Sequence, residues 1–227
     1  MIFIAVTLGF FAESLREHFN NKEIEKNNIG SLVRNLQEDT LSLVAAIKFN
    51  EMKSSWVDSF VALRRGKDPD TNFAKQFIYY AIKLSATQTF ISNQTTFEQM
   101  KSSGTLRLIK SQGVLDSILQ YQSMYESIKL ESDEVSKWYD KNQQQFAESI
   151  DFRPLLAYKG ILNLNMHPND LYASNLPAIT RDSIVLQKFI NYEVEEKSSG
   201  LNYVSFLEQQ LSYARRLISF LKKEYSV

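Results

Sequence analysis

The chain contains no cysteine, and only four prolines and seven glycines among 227 residues. Without cysteine there is no disulfide framework, no thiolate zinc site and no cysteine nucleophile. Sheets and long loops need turns, and turns draw on glycine and proline. A chain poor in both is expected to consist of long helices. Charge of one sign is also lacking: 26 basic residues balance 26 acidic ones. With no basic excess to meet phosphates, nucleic acid is not expected as a partner. The phosphate-cradling patterns G-x-x-x-x-G-K and G-x-G-x-x-G are missing, as is the nucleophile elbow G-x-S-x-G. No cofactor is expected, and a non-catalytic role is the reading of these absences.

What is present starts with residues 1–12, which are apolar and uncharged and run without a turn signal into the charged residues 13–26. Twelve helical residues cover roughly 18 Å, whereas the hydrocarbon core is about 30 Å thick. The run is too short to cross alone, and Glu13, Arg16 and Glu17 would be costly to immerse. Residues 1–15 are therefore expected to be a membrane-associated segment or part of a transmembrane helix. A buried helix of a soluble oligomer is the other arrangement. Ile4, Ala5, Leu8, Gly9, Phe11 and Ala12 are the candidate lipid- or helix-contact residues. Ala5 and Gly9, four apart, would let another helix approach closely. A signal peptide fits poorly, since no basic residue precedes the run and no A-x-A site follows it.

From Ile29 onward the apolar residues Leu32, Val33, Leu36, Leu43, Val44 and Ile47, with Thr40, mark one helix face. No proline interrupts the stretch, so a single helix is expected over residues 2–63, ending in the Arg64–Pro69 region. Asp70 or Thr71 caps a second helix carrying Phe73, Phe77, Tyr80, Ala81 and Leu84. Thr95 with Glu98 reads as a capping box, and Gly104 as a left-handed stop. Val114, Ile118, Tyr121, Tyr125, Ile128, Ser132, Val135, Tyr139, Asn142 and Phe146 alternate steps of four and three, a heptad seam. A short helix over Leu186, Phe189, Ile190 and Val194 is expected to close at Ser198-Ser199-Gly200. A last helix follows, with Val204, Leu207, Leu211, Ala214, Ile218, Leu221 and Tyr225 inward. The fold expected is all-α: an elongated helix bundle over residues 16–227, with a long N-terminal helix and two further heptad-patterned helices.

The segment 151–178 gathers all of the chain's prolines but Pro69 and forms the longest irregular loop. His167 and Asp170 lie in it and are candidates for a pocket under residues 151–177. Such a pocket is what an enzyme or small-ligand binder would use. A metal site needs more ligands at suitable spacing than this pair supplies. His18 reads as a solvated helix residue. Glu38-Asp39 and the group Glu193, Glu195 and Glu196 read as solvated faces, since basic residues stand close by in sequence.

Two stretches carry a resemblance. The first is Leu8-Gly-Phe-Phe-Ala-Glu-Ser-Leu-Arg-Glu-His18 with Ser31-Leu-Val-Arg-Asn-Leu-Gln-Glu-Asp-Thr40. The second is Thr96-Phe-Glu-Gln-Met-Lys-Ser-Ser-Gly-Thr-Leu-Arg-Leu-Ile109. Together they resemble an uncharacterised bacterial family, common in Bacteroidota, with one N-terminal membrane span followed by a helical domain. The resemblance covers about the first 125 residues. It implies a bacterial inner-membrane location with the helical part on the periplasmic side. Family members carry a basic tail and a fuller span ahead of the stretch matched here. The expected partners are membrane lipid and either a protein partner or further copies of the chain through helical seams. The family lends no established activity; the role expected from the chain's own helical and apolar features is an accessory subunit, scaffold or sensor-like module.

Overall fold

A computed structural model describes residues 2–63, 71–157, 165–171 and 176–227. Its long elements are α1 (Ile2–Val61), α2 (Thr71–Leu84), α3 (Thr95–Ser102), α4 (Gln112–Ser149) and α5 (Ser183–Tyr225). The fold is all-α, with a long N-terminal helix and two further long helices. Among the described residues, paired backbone of the β type is limited to one antiparallel bridge, Ile150 with Ile179. There Asp151 N–H donates to Ala178 O and Thr180 N–H to Ser149 O, each at 2.9 Å. These bonds pin the two ends of the irregular loop together.

The chain divides into two compact units. The first comprises Met1–Val44, Ile91–Glu126 and Gln209–Val227; the second comprises Ala45–Phe90 and Ser127–Glu208. In the first unit, Ile29, Leu32, Val33 and Leu36 of α1 pack with Phe97 and Met100 of α3. Val114, Ile118 and Tyr121 of α4 and Ala214, Leu217 and Leu221 of α5 complete that core. In the second unit the core joins Val57 and Phe60 of α1, Phe77, Ile78, Ala81 and Leu84 of α2, Phe146 of α4 and Phe189 of α5. The Phe189 ring lies 5.3 Å from Phe60, 6.0 Å from Phe77 and 6.1 Å from Phe146. Leu155, Met166 and Leu171 fold back onto the same core from the irregular segment. Aromatic rings supply the volume that a chain poor in tight turns needs to fill the space between helices.

The α4 seam is inward along its whole length: Val114, Ile118, Tyr121, Tyr125, Ile128, Val135, Asn142 and Phe146 are buried, and Ser132 and Tyr139 half-buried. Gly104 has φ of 70°, the left-handed conformation expected of it. The Arg64–Pro69 stop and Asp70 lie outside the described residues.

Four expectations need correction. Thr95 is the first helical residue of α3 rather than its cap; the Asn93 side chain accepts the Thr95 N–H at 3.1 Å instead. Val44 is exposed, because the buried row of α1 continues through Leu43 and Ala46. In the last helix Val204, Leu207, Ala214 and Leu221 are buried as expected, but Tyr203, Gln210 and Leu217 complete the inward row, while Leu211, Ile218 and Tyr225 only flank it. Finally, Ser198-Ser199-Gly200 does not end a helix, and α5 runs unbroken through it. An isolated glycine inside a helix costs about 1 kcal/mol relative to alanine, and the packing on both sides of it outweighs that.

A methyl group added at Gly200 would meet nothing within 4 Å. Gly200→Ala should therefore raise stability by about 0.5–1 kcal/mol in urea unfolding. A loss of stability would show that the helix is not continuous there.

Candidate functional site

The leading turns of α1 carry large apolar side chains with no cover. Phe3 is 83% exposed, Ile4 63%, Leu8 61%, Phe10 75% and Phe11 62%. Val6 is also exposed, as are Gly9 and Ala12; the Ala5 side chain lies outside the described residues. At about 100° per residue, Phe3, Ile4, Val6, Leu8, Phe10 and Phe11 occupy about 200° of the helix circumference. Ala5, Gly9 and Ala12 fall on the rest. Thr7 is the one polar side chain of residues 2–12, and its hydroxyl donates back to Phe3 O at 2.8 Å. Glu13 and Arg16 close the segment as an exposed ion pair at 2.5 Å. A helix apolar around its whole girth cannot bury itself by packing one face on a protein core. Among the described residues, no helix is long and apolar enough to cross a membrane. The transmembrane expectation thus gains no support from a span.

The bundle interior holds charge that the sequence reading assigned to solvent. In the first unit Asp39 is 2% exposed. Its carboxylate accepts Ser92 Oγ–H at 2.5 Å, Tyr121 O–H at 2.6 Å and Asn93 N–H at 2.7 Å. Burial, and then the charge of and hydrogen bond to Asp39, push the Tyr121 phenol far above its usual value. Gln210 donates to Tyr121 O at 3.2 Å. Glu25, also buried, accepts Tyr225 O–H at 2.6 Å and Lys110 N–H at 3.0 Å. Both carboxylates are thus held by neutral donors rather than by cations.

In the second unit the arrangement is ionic. Lys53 Nζ pairs with Glu196, donates to Ala86 O at 2.9 Å, and lies 5.4 Å from the centre of the Tyr139 ring. The other Glu196 oxygen accepts Asn142 Nδ2–H. Glu193, one turn earlier on α5, is 1% exposed, and its Oε2 has no hydrogen-bond partner. Burial, then the Glu196 charge, push its carboxyl up to about 8, and Lys53 offsets this only in part. Glu193 is therefore largely protonated at neutral pH. Of the acidic groups read as solvated, Asp39, Glu193 and Glu196 are buried, while Glu38 and Glu195 are exposed as expected. The signal that places them inward is register. Glu193 and Glu196 fall between Phe189 and Tyr203 at heptad spacing, and Asp39 falls between Leu36 and Leu43.

His167 and Asp170 are both exposed. Asp170 Oδ2 accepts the His167 N–H at 2.7 Å, and Asp170 N–H donates to His167 O at 2.9 Å. The pair thus closes a short turn on itself. Residues 158–164 and 172–175 of the surrounding loop lie outside the described residues. His18 is exposed, as read from the sequence. No group of three or more His, Asp or Glu able to hold a metal occurs among the described residues. Comparison with protein families, curated proteins and solved structures gave no match to this chain.

Two outcomes test the interior. Asp39→Ala strands three donors in a dry core and should cost about 3 kcal/mol or more in chemical unfolding. Asp39→Asn, which keeps an acceptor, should cost clearly less; equal costs would mean the donors turn to water. For Glu193 the sign follows from its raised value. The stability tied to its neutral form is complete below about pH 4.5, the ordinary glutamate value, and is lost as pH rises toward about 8. The stability gain of Glu193→Gln over the parent should therefore widen across that window, by at most about 1.4 kcal/mol per pH unit. A gain that does not change with pH would refute the assignment.

Proposed function

We propose that the chain is a non-catalytic helical module that attaches to a lipid membrane through residues 2–12 and works through helix contacts as an accessory subunit or scaffold. The exposed, uncharged girth of leading α1 carries this reading. A single protein face covers one side of a helix; lipid covers all of it. The residues from Ile2 to Ala12 reach about 17 Å along the axis, roughly half of the hydrocarbon thickness. The Glu13–Arg16 pair then falls where charge returns to water. Full transfer of a large apolar side chain contributes about 1.5–3 kcal/mol. Six such residues, each more than half exposed, provide on the order of 8 kcal/mol, enough for firm attachment. The bacterial inner membrane, with the helical units on the periplasmic side, is the location proposed from the family resemblance of residues 8–40 and 96–109.

The test is flotation of the intact chain with phosphatidylcholine vesicles. The chain should float, and a variant lacking residues 2–12 should stay in the aqueous fraction. Phe11→Asp should weaken binding at least tenfold, since a charge within the apolar layer costs about 2.5–3.5 kcal/mol. An intact chain that ignores vesicles and sediments as a defined oligomer would replace lipid with copies of the chain as the cover.

A further inference from the structure

Beyond the apolar segment, the first unit carries a groove of about 590 Å³ that residues of α1, the segment just before α4 (Lys110 and Ser111) and the end of α5 line together. The volume lies in the range of small-ligand sites, about 300–1,000 Å³. From α1 it is lined by His18, Lys22, Glu25 and Lys26; Lys110 and Tyr225 close it. The two carboxylates that could quench these cations differ in state. Glu25 is buried and its Oε1 is engaged by Tyr225 O–H and Lys110 N–H. Glu224 also lines the groove and is exposed. The ammonium groups of Lys22, Lys26 and Lys110 are in no ion pair with a described residue. Lys22 and Lys26 stand four apart on one helix face, a like-charge spacing that destabilises a helix by a few tenths of a kcal/mol. An occupant with dispersed negative charge would turn that repulsion into attraction.

We infer that this groove binds a phosphate ester through Lys22, Lys26 and Lys110. Three lysines that line one groove from two chain segments suit an anion with several acceptor oxygens. His18 adds a donor on the same helix. The buried Glu25 holds Tyr225 and the Lys110 backbone in place, so the floor of the groove is set before a ligand arrives. Along α1, Lys22 lies about 15 Å beyond Ala12. If residues 2–12 enter lipid, the side chains of His18 and Lys22 come within reach of the headgroup layer. A phospholipid headgroup is then the nearest source of the ester; a soluble phosphate ester is the other. The headgroup source rests on the membrane reading, whereas the site chemistry does not.

The experiment has two arms, both with the intact chain. In dodecyl maltoside, the amide resonance of Lys110 is followed on titration with glycerol 3-phosphate. It should shift saturably, because that N–H forms the Glu25 contact in the groove floor. In the second arm, vesicles of phosphatidylcholine are compared with vesicles containing phosphatidic acid, which should bind at least tenfold more tightly. A triple Lys→Gln variant at positions 22, 26 and 110 should lose both responses, and the Lys→Arg counterpart should keep them. A control variant, Lys101→Gln with Lys222→Gln and Lys223→Gln, removes the same charge elsewhere and should keep both. A response to glycerol 3-phosphate alone supports the site with a soluble ester as its ligand, even if attachment to phosphatidylcholine fails. Loss of lipid preference by the control variant to the same extent, or no response in either arm, overturns the proposal.

Discussion

A charged side chain placed at a core-facing helix position must find donors or a counter-charge on another segment, and the packing of this chain depends on that requirement. Glu25, Asp39 and Lys53 of α1 recur among buried apolar neighbours, and Glu193 and Glu196 do so on α5. An apolar seam alone tolerates sliding by one heptad, since one leucine resembles the next. Asp39 does not tolerate it: only one alignment brings Ser92, Asn93 and Tyr121 to its carboxylate together. The same holds for Lys53, whose ammonium is shared among Glu196, Ala86 O and the Tyr139 ring. Removing one member of such a set typically costs about 3–5 kcal/mol, because the remainder is left buried and uncompensated. These groups are thus poor sources of net stability and strong determinants of register, the use best attested for buried polar residues in helical seams.

The two units solve the problem with different chemistry. In the first, neutral donors surround each carboxylate, so its charge is dispersed through hydrogen bonds without a cation. In the second, two glutamates a turn apart share one lysine. One lysine neutralises one carboxylate. The other resolves the conflict by holding its proton, which is why the carboxyl of Glu193, buried and with an unpartnered oxygen, is pushed upward.

Spacing made the helices legible. The α4 row from Val114 to Phe146 reads directly as a seam because its polar members, Ser132 and Asn142, are flanked by large apolar residues. The α5 row is just as regular, at Phe189, Glu193, Glu196, Tyr203, Leu207, Gln210, Ala214, Leu217 and Leu221. Only Phe189, Leu207, Ala214 and Leu221 are legible in the sequence, because two glutamates and a glutamine occupy inward positions between them. Reading by hydrophobicity puts Leu211 and Ile218 inward in place of Gln210 and Leu217, and cuts the helix at Gly200. The buried carboxylates were missed for the same reason, since a charge close to a basic neighbour in sequence looks solvated whenever its register is ignored. The donors to Asp39 come from residues more than fifty positions away, a proximity that no local pattern encodes.

The leading segment follows a different rule, and the contrast gives it meaning. From Ile29 to Phe60 the buried apolar residues of α1 form a row, with exposed Arg34 and Gln37 beside buried Ile29 and Leu36, and only single apolar side chains such as Leu41 and Val44 stand exposed off that row. Over residues 2–12 the stripe widens to the whole circumference, and even the Thr7 hydroxyl is returned to the backbone. Water penalises such a surface in proportion to its area, and a protein face can relieve only part of a girth. A helix that satisfies its own polar groups and presents apolar atoms in every direction is the form that hydrocarbon requires of a peptide. The shift from a buried row to an exposed apolar girth, ahead of the Glu13–Arg16 pair, is therefore the feature on which the proposed attachment to lipid rests.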